Sequence, residues 1–274
     1  MSNTPMSRYP DDIELSVIVP VYNEADKLEE NVRVLHDHLA STALRFEVIV
    51  CIDGSTDESF DIAHALSTSL PSVEVVGYPV NRGRGYAIKY AAEHLRGSRV
   101  VYMDSDLPST IDLSHLDTML SYLERYDIVI ASRFHRDAKV KRKWHRAVVS
   151  VVYRMIVSVV FPGFRVTDPD VGFKGFQRDV FDRIVPYTTL NGWSWDLEFL
   201  VSADILGYSI EEFPFNWVEH YERTSVGIVR DSFLEFIGLL YIRLKSFRLR
   251  RGRTVEGSKQ IEERSGESVR ADEA

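Results

Sequence analysis

Two aspartates one residue apart, Asp104 and Asp106, close the segment Arg99-Val-Val-Tyr-Met-Asp-Ser-Asp-Leu107. Val100 to Met103 form a short apolar run of the kind that fills a buried parallel strand, so both carboxylates are expected together just past its end. Carboxylates so placed can share a hard divalent cation, and that cation can in turn hold a diphosphate. Neutralising a departing diphosphate is what sugar transfer from a nucleotide requires. By itself an Asp-x-Asp pair is more often two solvated turn residues, and its weight here comes from the chain that precedes it.

The elements that must position the pair follow from hydrophobic pattern. Leu15-Ser-Val-Ile-Val-Pro20 reads as a strand, followed by Val21-Tyr-Asn-Glu24 and a helix with Leu28, Val32, Leu35 and Leu39 on one stripe. Phe46 to Ile52 is a second strand that ends in Asp53-Gly-Ser-Thr-Asp57, a turn that also supplies N-cap residues. Val73 to Gly77 is a third, followed by Asn81-Arg-Gly-Arg-Gly85 and a helix from about Tyr86 to Leu95. Four strands alternating with three helices predict an α/β fold with a parallel, doubly wound sheet, whose ligands bind outside the carboxyl ends of the strands. Tyr22, Glu24, Asp53, Asp57, Arg82, Arg84, Asp104 and Asp106 all follow strand ends and would gather on one edge. Each alone is a turn or cap residue; the set suits a nucleotide diphosphate. A dinucleotide-binding reading fails, because Asn81 to Gly85 follows the third strand and lacks the Gly-x-Gly-x-x-Gly register.

At 274 residues, 45% apolar and 27% charged, the chain has the make-up of a globular protein with one large domain and an appended segment. A formal net charge of -8 argues against nucleic acid as a partner. The single cysteine, Cys51, excludes an internal disulfide framework and fits a reducing compartment. Met1 to Glu14 lacks a secretory pattern, no uncharged apolar run reaches about 18 residues, and the histidines show no zinc-ligand spacing with cysteine.

Ser16-Val-Ile-Val-Pro-Val-Tyr-Asn-Glu24, Asp53-Gly-Ser-Thr-Asp57, Asn81-Arg-Gly-Arg-Gly85 and Asp104-Ser-Asp106 together resemble the successive motifs of family 2 glycosyltransferases with the GT-A fold. Later pieces are similar to the dolichyl-phosphate glucose and mannose synthases: Ala131-Ser-Arg133, Arg146 with Ser150, Asp168-Pro-Asp-Val-Gly-Phe-Lys174, and Trp195-Asp-Leu-Glu-Phe199 leading to Gly207-Tyr-Ser-Ile-Glu-Glu-Phe-Pro214. The resemblance spans about residues 14 to 228. It implies a mostly parallel doubly wound sheet with amphipathic membrane-interface helices, and transfer of a hexose from a UDP- or GDP-linked sugar to a polyprenyl (dolichyl) phosphate with inversion. Pro20, Tyr22, Glu24 and Asp53 would line the base and ribose pocket with Arg84 nearby, and Asp104 and Asp106 would hold Mg²⁺ or Mn²⁺. Arg133, Arg146, Ser150 and Arg223 would receive the lipid phosphate, and Asp168 would lie beside the reacting centre. The pattern departs at Ile52, where the family's first Asp of Asp-Asp-Gly-Ser stands, at Pro108, which leans towards the glucose branch, and at Ser225-Val226, where a Ser-Lys pair is usual.

A polyprenyl phosphate is already largely dianionic near neutral pH, its second pKa being about 6, so the nucleophile needs no strong base. A hydroxyl acceptor such as a polysaccharide or glycolipid is the alternative, with Asp196 as its candidate base; a non-catalytic binding scaffold is the third reading. Trp193, Trp195 and Phe199 read as core or sugar-stacking residues. Lys139, Lys141, Arg142, Lys143, His145 and Arg146 precede an apolar stretch from Ala147 to Phe161 that is too short to span a bilayer. It is either an interfacial helix or a buried core helix. Residues 226–242 repeat the pattern, followed by Arg243, Lys245, Arg248, Arg250, Arg251 and Arg253, a polybasic end that anionic headgroups attract. The expectation is a peripheral protein on the cytoplasmic face of a membrane. It would have an N-terminal extension at 1–13, a basic amphipathic helix at 229–253 and a disordered tail at 254–274.

Overall fold

The fold is taken from a computed structural model that describes residues 12–141, 144–218 and 235–250, with backbone alone at 145–147. The expected N-terminal extension and C-terminal tail thus lie almost wholly outside the described residues.

β-Branched runs form the centre. β1 (Leu15–Val21) pairs in parallel with β2 (Phe46–Asp53) and β4 (Arg99–Met103), and β2 with β3 (Val73–Tyr78). Ile18 has Ile49 on one side and Tyr102 on the other. α1 (Ala25–Ala40) buries the expected stripe of Leu28, Val32, Leu35 and Leu39; α2 (Ser59–Ser69) and α3 (Arg84–Ala91) complete the crossovers. α3 begins two residues before the expected start, because Gly83 at φ +94° turns the chain into it, and ends in a single 3₁₀ turn at Ala92–His94.

After α4 (Ser114–Leu123) the sheet continues with β5 (Ile128–Ser132). A short β6 (Val140–Lys141) and the long α5 (Trp144–Val160) precede β7 (Phe173–Gln177), which inserts between β4 and β5 and runs antiparallel to both. α6 (Arg178–Ile184) and α7 (Ser194–Leu206) lead to β8 (Ile210–Pro214), parallel to β5, and to β9 (Trp217–Val218), which pairs with β6. The main sheet has the order β3-β2-β1-β4-β7-β5-β8, mostly parallel as expected, with β7 the reversal that the pattern did not signal.

α7 is apolar nearly all round and therefore buried. Phe199 packs with ring centroids 5.0 Å from Phe176, 5.7 Å from Phe181 and 5.3 Å from Trp195. Gly207, left-handed at φ +88°, ends the helix with its N–H on the Ala203 carbonyl. The far side of α7 (Leu197, Val201, Ile205) packs against Val157 of α5 and Phe161 just past its end, and against Leu239 and Ile242 of α8, the helix at 235–250.

α5 resolves its two readings into two faces. Val157 is buried, whereas Trp144, Val148, Val149, Val152, Met155 and Val159 are exposed, Trp144 and Val159 each at 78%. α8 likewise exposes Phe236, Ile237, Leu240, Leu244 and Phe247. One expectation is corrected: Lys245, counted with the polybasic end, turns inward and places Nζ 2.5 Å from Glu198 Oε1, because the buried Glu198 carboxylate needs a counter-charge.

Phe199→Ala is expected to cost about 3–5 kcal/mol in denaturant unfolding with the fold retained, the usual cost of a large aromatic cavity; a loss below about 1 kcal/mol would contradict this packing.

Candidate active site

The loops that follow β1 and β2 are stapled to each other. Asn23 Oδ1 accepts from the Thr56 N–H at 2.8 Å, the Glu24 N–H donates to Ser59 Oγ at 3.0 Å, and the Ala25 N–H to Asp57 Oδ2 at 3.1 Å. Asp53, buried at the end of β2, accepts from the N–H groups of Arg82 (2.7 Å) and Gly83 (2.9 Å) and from Asn81 Nδ2 (3.0 Å). Its carboxylate thus shapes the Asn81–Gly85 loop. The glycines of that loop serve close approach: a Cβ on Gly85 would fall 2.3 Å from Trp195 Cβ. Tyr22 is exposed beside this corner, Pro20 and Glu24 are partly exposed, and Arg82 lies 4.7 Å over the Tyr86 ring.

Asp104 leaves β4 with its N–H on the Gly172 carbonyl at 2.7 Å, and its carboxylate lies where a Gly172 Cβ would be, 1.7 Å away. Only glycine fits behind it. Burial, then the charge of Asp104, pushes the Asp106 carboxyl up to about 7; burial and Asp104 also raise Glu24. Two partly buried acids whose proton affinity is raised beside a third carboxylate make a cluster of oxygen donors that suits a hard cation. No group of three His, Cys, Asp or Glu side chains poised to chelate occurs among the described residues. A cation on Asp104 and Asp106 would therefore complete its shell from substrate and water, as Mg²⁺ commonly does.

Behind the pair lies a buried polar network. Asp196, 1% exposed on α7, accepts from Arg84 (2.5 Å), from Lys174 Nζ (2.6 Å) and from the Tyr102 hydroxyl. Burial on its own would raise its pKa, and Arg84 and Lys174 more than reverse that, so Asp196 is held low. Such a carboxylate is a poor proton acceptor, which disfavours the base role expected of it with a hydroxyl acceptor. Arg84 also reaches Asp104 at 3.2 Å and lies 4.2 Å over the Trp193 ring. Trp195 belongs to the core, whereas Trp193 is exposed and covers Arg84.

Arg133, just past β5, grips Asp168 through Nε and a terminal nitrogen, both at 2.8 Å, and through its own N–H. Glu212 on β8 holds the Thr167 and Asp168 N–H groups at 2.9 Å. Arg133 lies 5.6 Å over the Trp217 ring, and although burial opposes its charge, Asp168 more than offsets that and raises its pKa. Of the remaining expected phosphate ligands, Ser150 sits half-buried on α5, while Arg223 and the side chain of Arg146 lie outside what is described.

Sequence reasoning gave no role to Lys174, Tyr102, Glu212 or Asp170. A lysine inside an apolar strand, Phe173-Lys-Gly-Phe176, was the available signal, since such a charge is buried only with a partner. Asp170 is pushed up to about 7 by burial, Asp196 and Glu235.

The glycosyl transferase family 2 profile matches residues 16–185. The chain is 36% identical over 223 residues to glycosyltransferase AglD of Haloferax volcanii, covering 80% of this chain and 35% of that protein, so it spans about a third of that relative's length. It is 31% identical over 220 residues to a dolichyl-phosphate beta-glucosyltransferase of Trichomonas vaginalis (77% and 67% covered), and 28% identical over 264 residues to that of Saccharomyces cerevisiae (87% and 77% covered). Among solved structures, glucosyl-3-phosphoglycerate synthase from Mycobacterium tuberculosis, in complex with Mn²⁺, UDP and phosphoglyceric acid, superposes with a TM-score of 0.65 at 23% identity. The match covers 84% of this chain and 78% of that one, a likeness of fold.

A carboxyl whose folded pKa is raised binds more protons folded than unfolded, so its contribution to stability is present at low pH and is lost as pH rises through the folded value. For Asp170 that window runs from about 4 to about 7. The stability of Asp170→Asn relative to wild type should therefore grow from pH 5 to pH 8 in denaturant titrations; a pH-independent difference would refute this assignment.

Proposed function

This chain belongs to glycosyl transferase family 2, and on that footing we propose that it moves a hexose, glucose by analogy with the relatives named above, from a nucleotide sugar to dolichyl phosphate at a membrane surface. The observation that carries the lipid acceptor is the outward apolar face of each of α5 and α8, with Leu244 exposed at 67% and Val159 at 78%. These helices pack on the side of α7 away from the core, and α7 carries Asp196 of the site. Exposed apolar faces on two helices packed against the same side of α7 favour a hydrocarbon neighbour. No helix among the described residues is long and apolar enough to cross a membrane.

In this reading an oxygen of the acceptor phosphate attacks the anomeric carbon, and the bond to the nucleoside diphosphate breaks with its electrons going to the departing oxygen. The acceptor arrives ionised, so no side chain has to remove a proton. Asp104 and Asp106 would hold Mg²⁺ or Mn²⁺, which when bound supplies positive charge to the diphosphate. Arg84 adds a second positive group on the same side. Arg133, oriented by Asp168 and Glu212, has N–H groups left over for the acceptor phosphate, and Arg146, Ser150 and Arg223 would complete that grip. Pro20, Tyr22, Glu24 and Asp53 border the space for base and ribose, Asp53 through the loop it shapes.

Purified protein given UDP-glucose or GDP-mannose and dolichyl phosphate should form an acid-labile lipid-linked sugar; transfer only to a hydroxyl-bearing acceptor would overturn the proposal. Asp106→Ala should lower turnover by roughly 10²- to 10³-fold while the protein stays folded, and undiminished wild-type activity in excess chelator would remove the metal from the scheme. Wild type should sediment with anionic liposomes at low salt and the pair Val159→Glu with Leu244→Glu should not; equal sedimentation of both would discard the membrane contact.

A further inference from the structure

Arg84 lies with its side chain 8% exposed between two carboxylates, and its two contacts are unequal. The bond to Asp196 is short, 2.5 Å, and the Trp193 ring 4.2 Å away covers the guanidinium. The contacts to Asp104, 3.2 and 3.3 Å, are long for a charged pair, which normally closes to about 2.7–2.9 Å. Its Nε is buried with no hydrogen-bond partner among the described residues. Asp104 occupies the space that a Gly172 Cβ would fill, 1.7 Å from its carboxylate oxygen.

We propose that Arg84 is the resident counter-cation of Asp104, one that a divalent metal must displace, so that the chain takes up metal tightly only together with a diphosphate. The proposal rests on the reading that Asp104 and Asp106 hold the metal. Asp196 anchors Arg84 permanently, and the Asp104 contact is the exchangeable one. A cation approaching alone meets an adjacent fixed positive charge that already satisfies half the doublet. A nucleoside diphosphate changes the balance: it offers oxygen acceptors to the terminal nitrogen that otherwise faces Asp104, and negative charge to the incoming metal. Coupling of this kind is reciprocal, so metal must also tighten nucleotide binding. Removal of one unit charge at this range in a partly buried site corresponds to roughly a 10- to 100-fold change in metal affinity.

The test titrates Mn²⁺ by electron paramagnetic resonance or calorimetry into wild type, Arg84→Gln and Arg84→Lys, each with and without UDP. Thermal unfolding checks that each variant is folded. Without nucleotide, Arg84→Gln should bind Mn²⁺ roughly 10-fold or more tightly than wild type, Arg84→Lys should stay near wild type, and the gain on adding UDP should shrink in Arg84→Gln. Unchanged or weaker binding by Arg84→Gln overturns the proposal. Wild-type binding equally tight with and without UDP overturns it too, whatever the variants do. If wild type binds no Mn²⁺ even with UDP or GDP, the metal reading itself falls, a different failure.

Discussion

The site hangs on one buried carboxylate set between two cations. Leaving a charge such as Asp196 in the interior without partners would be prohibitive, and removal of one member of a buried pair commonly costs about 3–5 kcal/mol. Here the partners come from three different elements: Arg84 from the start of α3, Tyr102 from β4 and Lys174 from β7. Tyr102 and Lys174 are direct cross-strand neighbours, so both reach the same face of the sheet under α7. Satisfying Asp196 therefore fixes α7, α3 and two strands against one another, and gives Arg84 its aim at Asp104.

A second set of charges repeats this logic at the neighbouring strand. Arg133 is bidentate on the buried Asp168, whose backbone N–H is held by Glu212. Both arginines are thus tied from behind by a buried carboxylate, Arg84 by Asp196 and Arg133 by Asp168. An arginine so tethered loses little side-chain freedom when it meets an anion, which is the arrangement that preorganised charge stabilisation needs. Asp106 and Glu24 stand opposite, acids whose proton affinity is raised by burial and by Asp104.

The first half of the fold was readable because each strand is a short apolar run followed at once by polar residues, and period and punctuation agree. The carboxylate doublet and Arg84 were readable as residues of one edge, and Arg133 and Asp168 only through the resemblance to family 2 glycosyltransferases. Their mutual contacts were not, since Arg84 binding Asp196 spans 112 positions of sequence and no local pattern encodes it. β7 escaped for a related reason: Phe173-Lys-Gly-Phe176 carries a lysine and a glycine, and neither its direction nor its place between β4 and β5 follows from composition. Lys245 shows the limit of charge patterning, because a run of basic residues does not say which one finds a buried acid such as Glu198. The apolar stretch after Lys143 was ambiguous as a string and became two distinct faces only once α7 and α8 fixed which side is inside.

The reversed strand has a consequence for assembly. Because β7 runs opposite to β4, with Phe173 beside Met103 and Gln177 beside Arg99, the entry to β7 lies at the exit from β4. Gly172 can back Asp104 only after some seventy further residues have been made and folded back. A chain emerging from the ribosome can complete β1 to β4 and the loops around Asp53 first, and the acidic doublet acquires its final aim only when that distant strand slots home. Order around Asp53 and order around Asp104 are therefore separable, the second waiting on β7.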